Sequence, residues 1–306
     1  MKASICCITY NHEKFLKQAL DGFLMQEFDD FEIVISDDYS TDKTREILKE
    51  YKAKFPKKIK LILNEKNIGM TANFILAQES CKGKYIALCE GDDYWIDPYK
   101  LQKQVDFLES NSDVSICWTL AHRYIQAENV YDDKHTELFQ KDYHVNKFID
   151  YKSIKNVKQY NLARTLTTVF RNILNYDEIK AYRYFCDTVL FQILLSKGKG
   201  IVLNSYSAVY RVHSGGIYQG ASNVKNKAVA LGKFVDIFRS HSTGNIRIYK
   251  NLFERYYILK NSIHKVQSEN DRFQVDEAFN YYKQNVNAIT KVIFSVMQFI
   301  LIKINK

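Results

Sequence analysis

Apolar positions along the chain follow two rhythms. Residues 3 to 9 are almost continuously apolar, and over 12 to 26 Phe15, Ala19, Leu20, Phe23 and Leu24 recur at helical spacing, which predicts a strand and then a helix. The unit repeats. Phe31 to Ser36 reads as a strand, and Asp42 to Phe55 as a helix with Ile47, Leu48, Tyr51 and Phe55 on one face behind the cap candidates Ser40 and Thr41. Ile59 to Leu63 is a third strand, Thr71 to Ser80 a third helix and Tyr85 to Cys89 a fourth strand. Asp97-Pro98, a cap followed by proline at the first helical position, opens a helix with the stripe Leu101, Val105 and Leu108 before a strand from Val114 to Leu120. Strand-helix units about 25 to 30 residues apart predict a mostly parallel sheet with helices on its faces, because parallel strands need crossover connections.

From 121 to 221 the pattern is less regular, with strand-like stretches at Thr165 to Phe170 and Ile201 to Arg211 and a helix from about Cys186 to Lys197. Beyond 222 there are two glycines and no proline, and Phe234, Ile237 and Phe238 keep helical spacing. A chain of 306 residues, 46% hydrophobic and 26% charged, folds into one large core with an extension. The expected division is an α/β domain over 1–221 and a basic helical region over 222–306.

Charge sharpens that division. Of the net +9, a surplus of 8 resides in the tail, where 14 Lys and Arg face 6 Asp and Glu from Ser222 to Lys306. Such asymmetry suggests an anionic surface as partner, membrane or nucleic acid. The run 292 to 302 is 11 residues of apolar character between Lys291 and Lys303, too short for the roughly 20 that span a bilayer. It reads as a buried helix or a dimer contact, with an interfacial membrane helix as the sharper alternative. The six cysteines show no Cys-x-x-Cys pair and no His at zinc-ligand spacing, so buried thiols are expected. The first twelve residues read as a strand and not as a signal peptide, which places the protein in the cytoplasm.

The polar clusters fall where the predicted strands end: Thr9-Tyr10-Asn11, Asp37-Asp38-Tyr39-Ser40-Thr41-Asp42, Asn64 to Gly69, and Glu90-Gly91-Asp92-Asp93. In open parallel sheets ligands bind beyond the carboxyl ends. Neither a Gly-x-Gly-x-x-Gly turn nor a P-loop is present, so backbone alone does not cradle phosphate. An acidic rim accepts a diphosphate only through a divalent cation such as Mn2+ or Mg2+, and Gly91 reads as leaving room for the ligand.

Three segments then carry a family resemblance. Asp37-Asp38-Tyr39-Ser40-Thr41-Asp42, Asn67-Ile68-Gly69-Met70-Thr71-Ala72-Asn73 and Glu90-Gly91-Asp92-Asp93 resemble, in order and spacing, the Asp-Asp-Gly-Ser-x-Asp, Asn-x-Gly and Asp-x-Asp-Asp segments of family 2 glycosyltransferases with the GT-A fold. The resemblance implies that Asp37 and Asp38 recognise a nucleotide base, usually uracil, with Thr9, Tyr10, Asn11, Asn67, Gly69 and Asn73 lining the donor site. Asp92 would bind the metal or the sugar donor, supported by Glu90 and Asp93. Phe185-Cys186-Asp187-Thr188-Val189-Leu190 is similar to the Glu-Asp-x-x-Leu helix, which makes Asp187 the general base. Tyr210-Arg211-Val212-His213 is similar to the closing segment, in which a His or Arg reaches the metal or the diphosphate; His213 is the metal-ligand candidate. Glu90, Tyr39 and Cys186 depart from the pattern, each replacing the expected Asp, Gly or acid. His12 and Arg123 read as structural or surface residues, and Tyr94 and Trp95 as packing or an acceptor-side platform.

The implied activity is metal-dependent, inverting transfer of a sugar from a UDP-linked donor to a glycan or lipid-linked acceptor in bacterial surface polysaccharide synthesis. The implied place is the inner face of the cell membrane. Nucleic acid is not expected as a partner, and a homo-oligomer is compatible with the pattern. Two alternatives stay open: a sugar nucleotidyltransferase, whose Gly-rich basic loop Thr9-Tyr10-Asn11-His12 lacks, and a non-catalytic membrane-docking protein with a degenerate enzyme domain.

Overall fold

The computed structural model describes residues 1–134, 145–150, 164–216, 223–241, 246–266 and 268–286. The described chain divides into two compact units. One takes the residues up to Lys180 together with Leu190–His213, and the other takes Ala181–Val189 and the residues from Ser214 onward.

The first unit begins as its apolar runs dictate: β1 (Ala3–Thr9), α1 (Leu16–Leu24), β2 (Phe31–Asp37), α2 (Thr44–Lys54), β3 (Ile59–Leu63), α3 (Met70–Glu79) and β4 (Tyr85–Leu88). β1 and β2 are buried along nearly their whole length, as strands covered on both faces must be. The sheet then continues through β5 (Tyr94–Trp95), β6 (Val114–Ile125), β7 (Val130–Tyr131), β8 (Phe148–Ile149), β9 (Val169–Arg171) and β10 (Lys199–Val212), with α4 (Lys100–Ser110) between β5 and β6. Its order is β3-β2-β1-β4-β9-β6-β10-β5, with β7 on β6 and β8 on β10. β3, β2, β1 and β4 run parallel, as do β6 and β10.

Three details differ from the sequence reading. Thr165 to Phe170 is not one strand: Thr165–Thr167 forms a 3-10 turn, and only then does β9 insert antiparallel between β4 and β6. Arg171 holds it there, donating from Nε to Val114 O at 2.7 Å and from Nη2 to Asn111 O at 3.0 Å. β6 runs five residues past Leu120 because its polar end pairs with β10, Ala121 against Ala208 through Ile125 against Val212. The helix caps also shift. α2 starts after Lys43, with Asp42 Oδ1 accepting Thr44 N–H, while α4 starts after Tyr99, with Asp97 Oδ1 accepting Tyr99 N–H. Ser40 and Thr41 are thereby released from capping.

The core lies between the sheet and its helices, with Ile5, Ile33, Leu20, Tyr85, Leu101 and Val169 fully buried. Trp95 joins it, packing edge-on against Phe23 and donating its indole N–H to Leu166 O at 2.9 Å. Core packing is thus the role of Trp95. All six cysteines are buried free thiols, as expected.

The second unit contains the helices Asn223–His241, Ile246–Lys260 and Glu269–Asn285. The last is capped by Ser268, which accepts Asp271 N–H. Asp236 is buried among them and satisfied: it accepts Tyr281 Oη–H and Tyr184 N–H. The apolar run 292 to 302 lies outside the described residues. Among the described residues no helix is long and apolar enough to cross a membrane.

Candidate functional site

The carboxyl ends of β1, β2 and β4 meet at one edge of the first unit. Asp38 N–H donates to Thr9 O at 3.0 Å, and Gly91 N–H to Ile8 O at 3.0 Å, so the loops after β2 and β4 both lean on β1. Asn11 takes the left-handed conformation at φ 55°, and from there its Oδ1 accepts Thr41 N–H at 2.8 Å while its own N–H donates to Ser40 Oγ. His12 N–H donates to Thr44 Oγ1 and Glu13 N–H to Asp42 Oδ2. Side chains that a propensity reading assigns to a helix cap here stitch two loops together.

Asp37 is fully buried. It accepts Ser40 N–H at 3.1 Å and the Ser40 hydroxyl, and Arg45 Nε lies 3.3 Å from its Oδ1. Burial raises its carboxyl above the usual range, against the opposing pull of Ser40 and Arg45. Asp38 holds the loop after β3: Oδ1 accepts Ile68 N–H at 2.7 Å and Oδ2 accepts Gly69 N–H at 3.0 Å. Gly69 sits at φ 86°, ψ 153°, a region that essentially only glycine occupies. Asn67 Nδ2 donates to Asp38 O, and Asn73, 2% exposed, is tied to Ser36 and Asn64. Tyr10 and Tyr39 stand in the open at this edge, Tyr39 at φ 65° beneath the Arg45 guanidinium.

After β4 the chain turns at Gly91, where an added Cβ would lie 2.8 Å from Thr9 Oγ1 and 3.0 Å from His12 Nδ1. Gly91 is therefore required by close packing on β1, and the room it leaves is taken by Thr9 and His12, contrary to the expectation that a ligand approaches there. Asp92 comes next, its side chain 22% exposed, with Oδ2 3.1 Å from His213 Nε2 and 3.6 Å from His12 Nε2. Burial would raise its carboxyl, but the hydrogen bond with His213 and the nearness of both imidazoles outweigh this and hold it below the usual range. The same burial lowers His12. Asp93 points away from this pair: it is 4% exposed and its Oδ1 accepts Arg211 N–H at 2.7 Å. Burial and the neighbouring charges of Asp92 and Glu90 raise it well above the carboxylate range. Burial raises the thiols of Cys7 and Cys89, and the nearby Glu90 carboxylate adds to the rise in both.

The structure thus brings together Thr9, Tyr10, Asn11, Asp37, Asp38, Asn67, Gly69, Asn73, Glu90, Asp92, Asp93 and His213 in one unit. Asp187 belongs to the other. It opens the helix Asp187–Lys197, with Oδ1 accepting Thr188 N–H at 2.7 Å. The residue before it, Cys186, is 6% exposed and its thiol is pushed up to about 11 by burial, so this position suits a thiol better than the charged acid of the usual pattern. His12 was missed by the sequence reading, although its place at the end of the first strand was visible. Among the described residues no group of three or more His, Cys, Asp and Glu is arranged to hold a metal by itself.

Residues 4–179 match the model of glycosyl transferase family 2, more than half of the chain. The chain belongs to glycosyl transferase family 2. A protein of Mycobacterium tuberculosis with no assigned function is 34% identical over 249 residues, covering 78% of this chain and 69% of that protein. A glycosyltransferase of Methanocaldococcus jannaschii is 31% identical over 166 residues, 54% of this chain and 52% of its own. The fold is GT-A. It is similar to that of S. aureus TarS 1–349, solved with UDP-GlcNAc, at a TM-score of 0.67 and 19% identity over 95% of this chain and 83% of TarS. It is also similar to the mannosyltransferase PcManGT of Pyrobaculum calidifontis, solved with GDP-Man and Mn2+, at a TM-score of 0.57 and 12% identity over 98% of this chain and 80% of that one. The family 2 chain is a glycosyltransferase, which sets aside the nucleotidyltransferase and the degenerate docking protein.

Proposed function

We propose that this family 2 enzyme transfers a sugar from a UDP-linked donor to a hydroxyl of a glycan or lipid-linked acceptor, with inversion at the anomeric carbon and with a divalent cation, in surface polysaccharide synthesis. The observation that carries the reading is Asp92, a partly exposed carboxylate facing two imidazoles at the carboxyl edge of the sheet. One carboxylate and one or two imidazoles are too few to enclose a cation. They suit Mn2+ or Mg2+ that takes its remaining ligands from phosphate oxygens. Asp92 and His213 are the residues that would hold it, and when bound there it supplies neutralising charge for the departing diphosphate. That TarS was solved with UDP-GlcNAc and PcManGT with GDP-Man and Mn2+ supports a sugar nucleotide and a metal as ligands of this fold.

Asp37 and Asp38 shape the base pocket. Both Asp38 oxygens accept main-chain N–H groups, and each retains a lone pair for the uracil N–H. Tyr10, Thr9 and Asn11 line the same edge, with Asn67, Gly69 and Asn73 holding the loop opposite. Glu90 and Asp93 support the metal position from behind. The acceptor oxygen attacks the anomeric carbon as the bond to the diphosphate oxygen breaks, and its proton passes to Asp187. We read 1–221 as the catalytic domain and 222–306 as a basic region for contact with the inner face of the membrane.

Release of UDP from a panel of UDP-sugars tests the reading. It should require Mn2+ or Mg2+, stop on chelation, and fall about a hundredfold to ten-thousandfold in Asp187→Asn. A rate indifferent to chelation would remove the metal, and a native rate in Asp187→Asn would remove that residue as base.

A further inference from the structure

Arg211 lies two residues before His213 and, by position, is the cation most readily assigned to the donor diphosphate. Its geometry says otherwise. The residue is 8% exposed, and each of its three guanidinium nitrogens already meets a protein oxygen. Nε donates to the main-chain O of Asp92 at 2.9 Å, Nη2 to Gln18 Oε1 at 2.6 Å and Nη1 to Gln126 Oε1 at 3.3 Å, while its own N–H donates to Asp93 Oδ1. The flat guanidinium is flanked by rings, with the centroids of Phe15 and Tyr94 4.9 and 5.0 Å from its carbon. Phe15 in turn lies against His213, 4.5 Å between centroids.

We infer that Arg211 is a positioning residue that sets the Asp92–His213 separation and does not bind the diphosphate. The inference rests on the metal-dependent UDP reading above. Asp92 sits on a turn after β4 and His213 just past β10, 121 positions apart in sequence, and no main-chain ladder joins the two segments at those residues. Arg211 joins them twice, through Asp92 O and Asp93 Oδ1, and ties both to Gln18 on α1, one turn after Phe15. Because it binds the Asp92 carbonyl, Arg211 occupies neither carboxylate oxygen, and Oδ2 stays with His213, 3.1 Å from its Nε2. A planar fork suits this task and a lysine does not, since the separate directions of Nε, Nη1 and Nη2 are what span three segments. Groups behind metal ligands typically matter by about 10- to 100-fold in affinity.

The experiment compares native protein, Arg211→Lys, and Gln18→Leu, which removes one arm and keeps the guanidinium. Calorimetry gives the affinity for UDP and for uridine without metal, and for UDP with Mn2+. The expected result for Arg211→Lys is a loss of about 10-fold in the tightening that Mn2+ brings, with the metal-free preference for UDP over uridine unchanged. Gln18→Leu should show the same pattern at smaller size. If Arg211→Lys loses the metal-free preference, Arg211 binds diphosphate and the inference is wrong. If both variants keep the native Mn2+ effect, there is no clamp. Should Arg211→Lys fail to fold, Gln18→Leu decides alone: a reduced Mn2+ effect supports the clamp, and a native one overturns it. A native protein that shows no Mn2+ effect at all overturns the metal reading itself, a result distinct from either variant outcome.

Discussion

Two aspartate pairs stand on either side of β1, Asp37-Asp38 at the end of β2 and Asp92-Asp93 after β4, and the sequence points to both as parts of the donor site. In the first pair both carboxylates are buried and bonded to nearby chain: Asp37 to Ser40 and Arg45, Asp38 to the amides of Ile68 and Gly69. In the second, only Asp93 is used this way, while Asp92 keeps part of its surface and faces His12 and His213. The difference teaches that an acid at a strand end is defined by what its oxygens already hold. Three of these four aspartates are bonded to neighbouring chain, and Asp92 is the one we propose as a metal ligand.

The largest expected effect comes from removing the odd one. Asp92→Ala should lose about a thousandfold or more in transfer, the equivalent of several kcal/mol of transition-state stabilisation, while its melting temperature stays near native. Asp38→Ala should do the reverse in character. It strands the Ile68 amide and leaves Gly69 N–H only Asn67 Oδ1, and should cost about 1–3 kcal/mol in urea unfolding, with donor affinity falling as a consequence. Equal losses of transfer at full stability in both variants would erase the distinction between the pairs. Gly69→Ala, which forces a side chain into φ 86°, should cost about 1–2 kcal/mol and mimic Asp38→Ala in weaker form.

A pH dependence is expected away from the aspartates, at Lys100, which is fully buried, donates to Gln104 Oε1 at 2.6 Å and lies 4.5 Å from the Trp95 ring centre. Burial lowers its pKa from 10.5 to about 7. Above that value the folded state holds it neutral while the unfolded chain keeps its proton, so stability should rise as pH goes from about 7 toward 10.5. The expected slope is about 1 kcal/mol per pH unit. Urea titrations of Lys100→Met should show that slope reduced, and an unchanged slope would place the ammonium in contact with water.

Much of this was legible in the sequence. The strands β1 to β4 followed from their apolar runs, and the strand-end clusters marked the edge where the loops converge. Long-range partnership was not. Nothing local shows that Ser40 would bond Asn11 and Asp37, that Gly91 would be filled by Thr9, or that β9 would enter the sheet antiparallel under the hold of Arg171. His12 and Arg211 were hidden for the same reason, since each acquires its meaning from a residue on another strand. The spacing of a motif reports which residues share a loop, and burial decides which of them remain free to act.

Calorimetric titration of UDP into native protein and Asp92→Ala, each with and without Mn2+, tests the central claim most directly. Mn2+ should tighten UDP binding to the native protein and leave its weaker binding to Asp92→Ala unchanged. Equal tightening in both proteins, or none in the native one, would contradict the account.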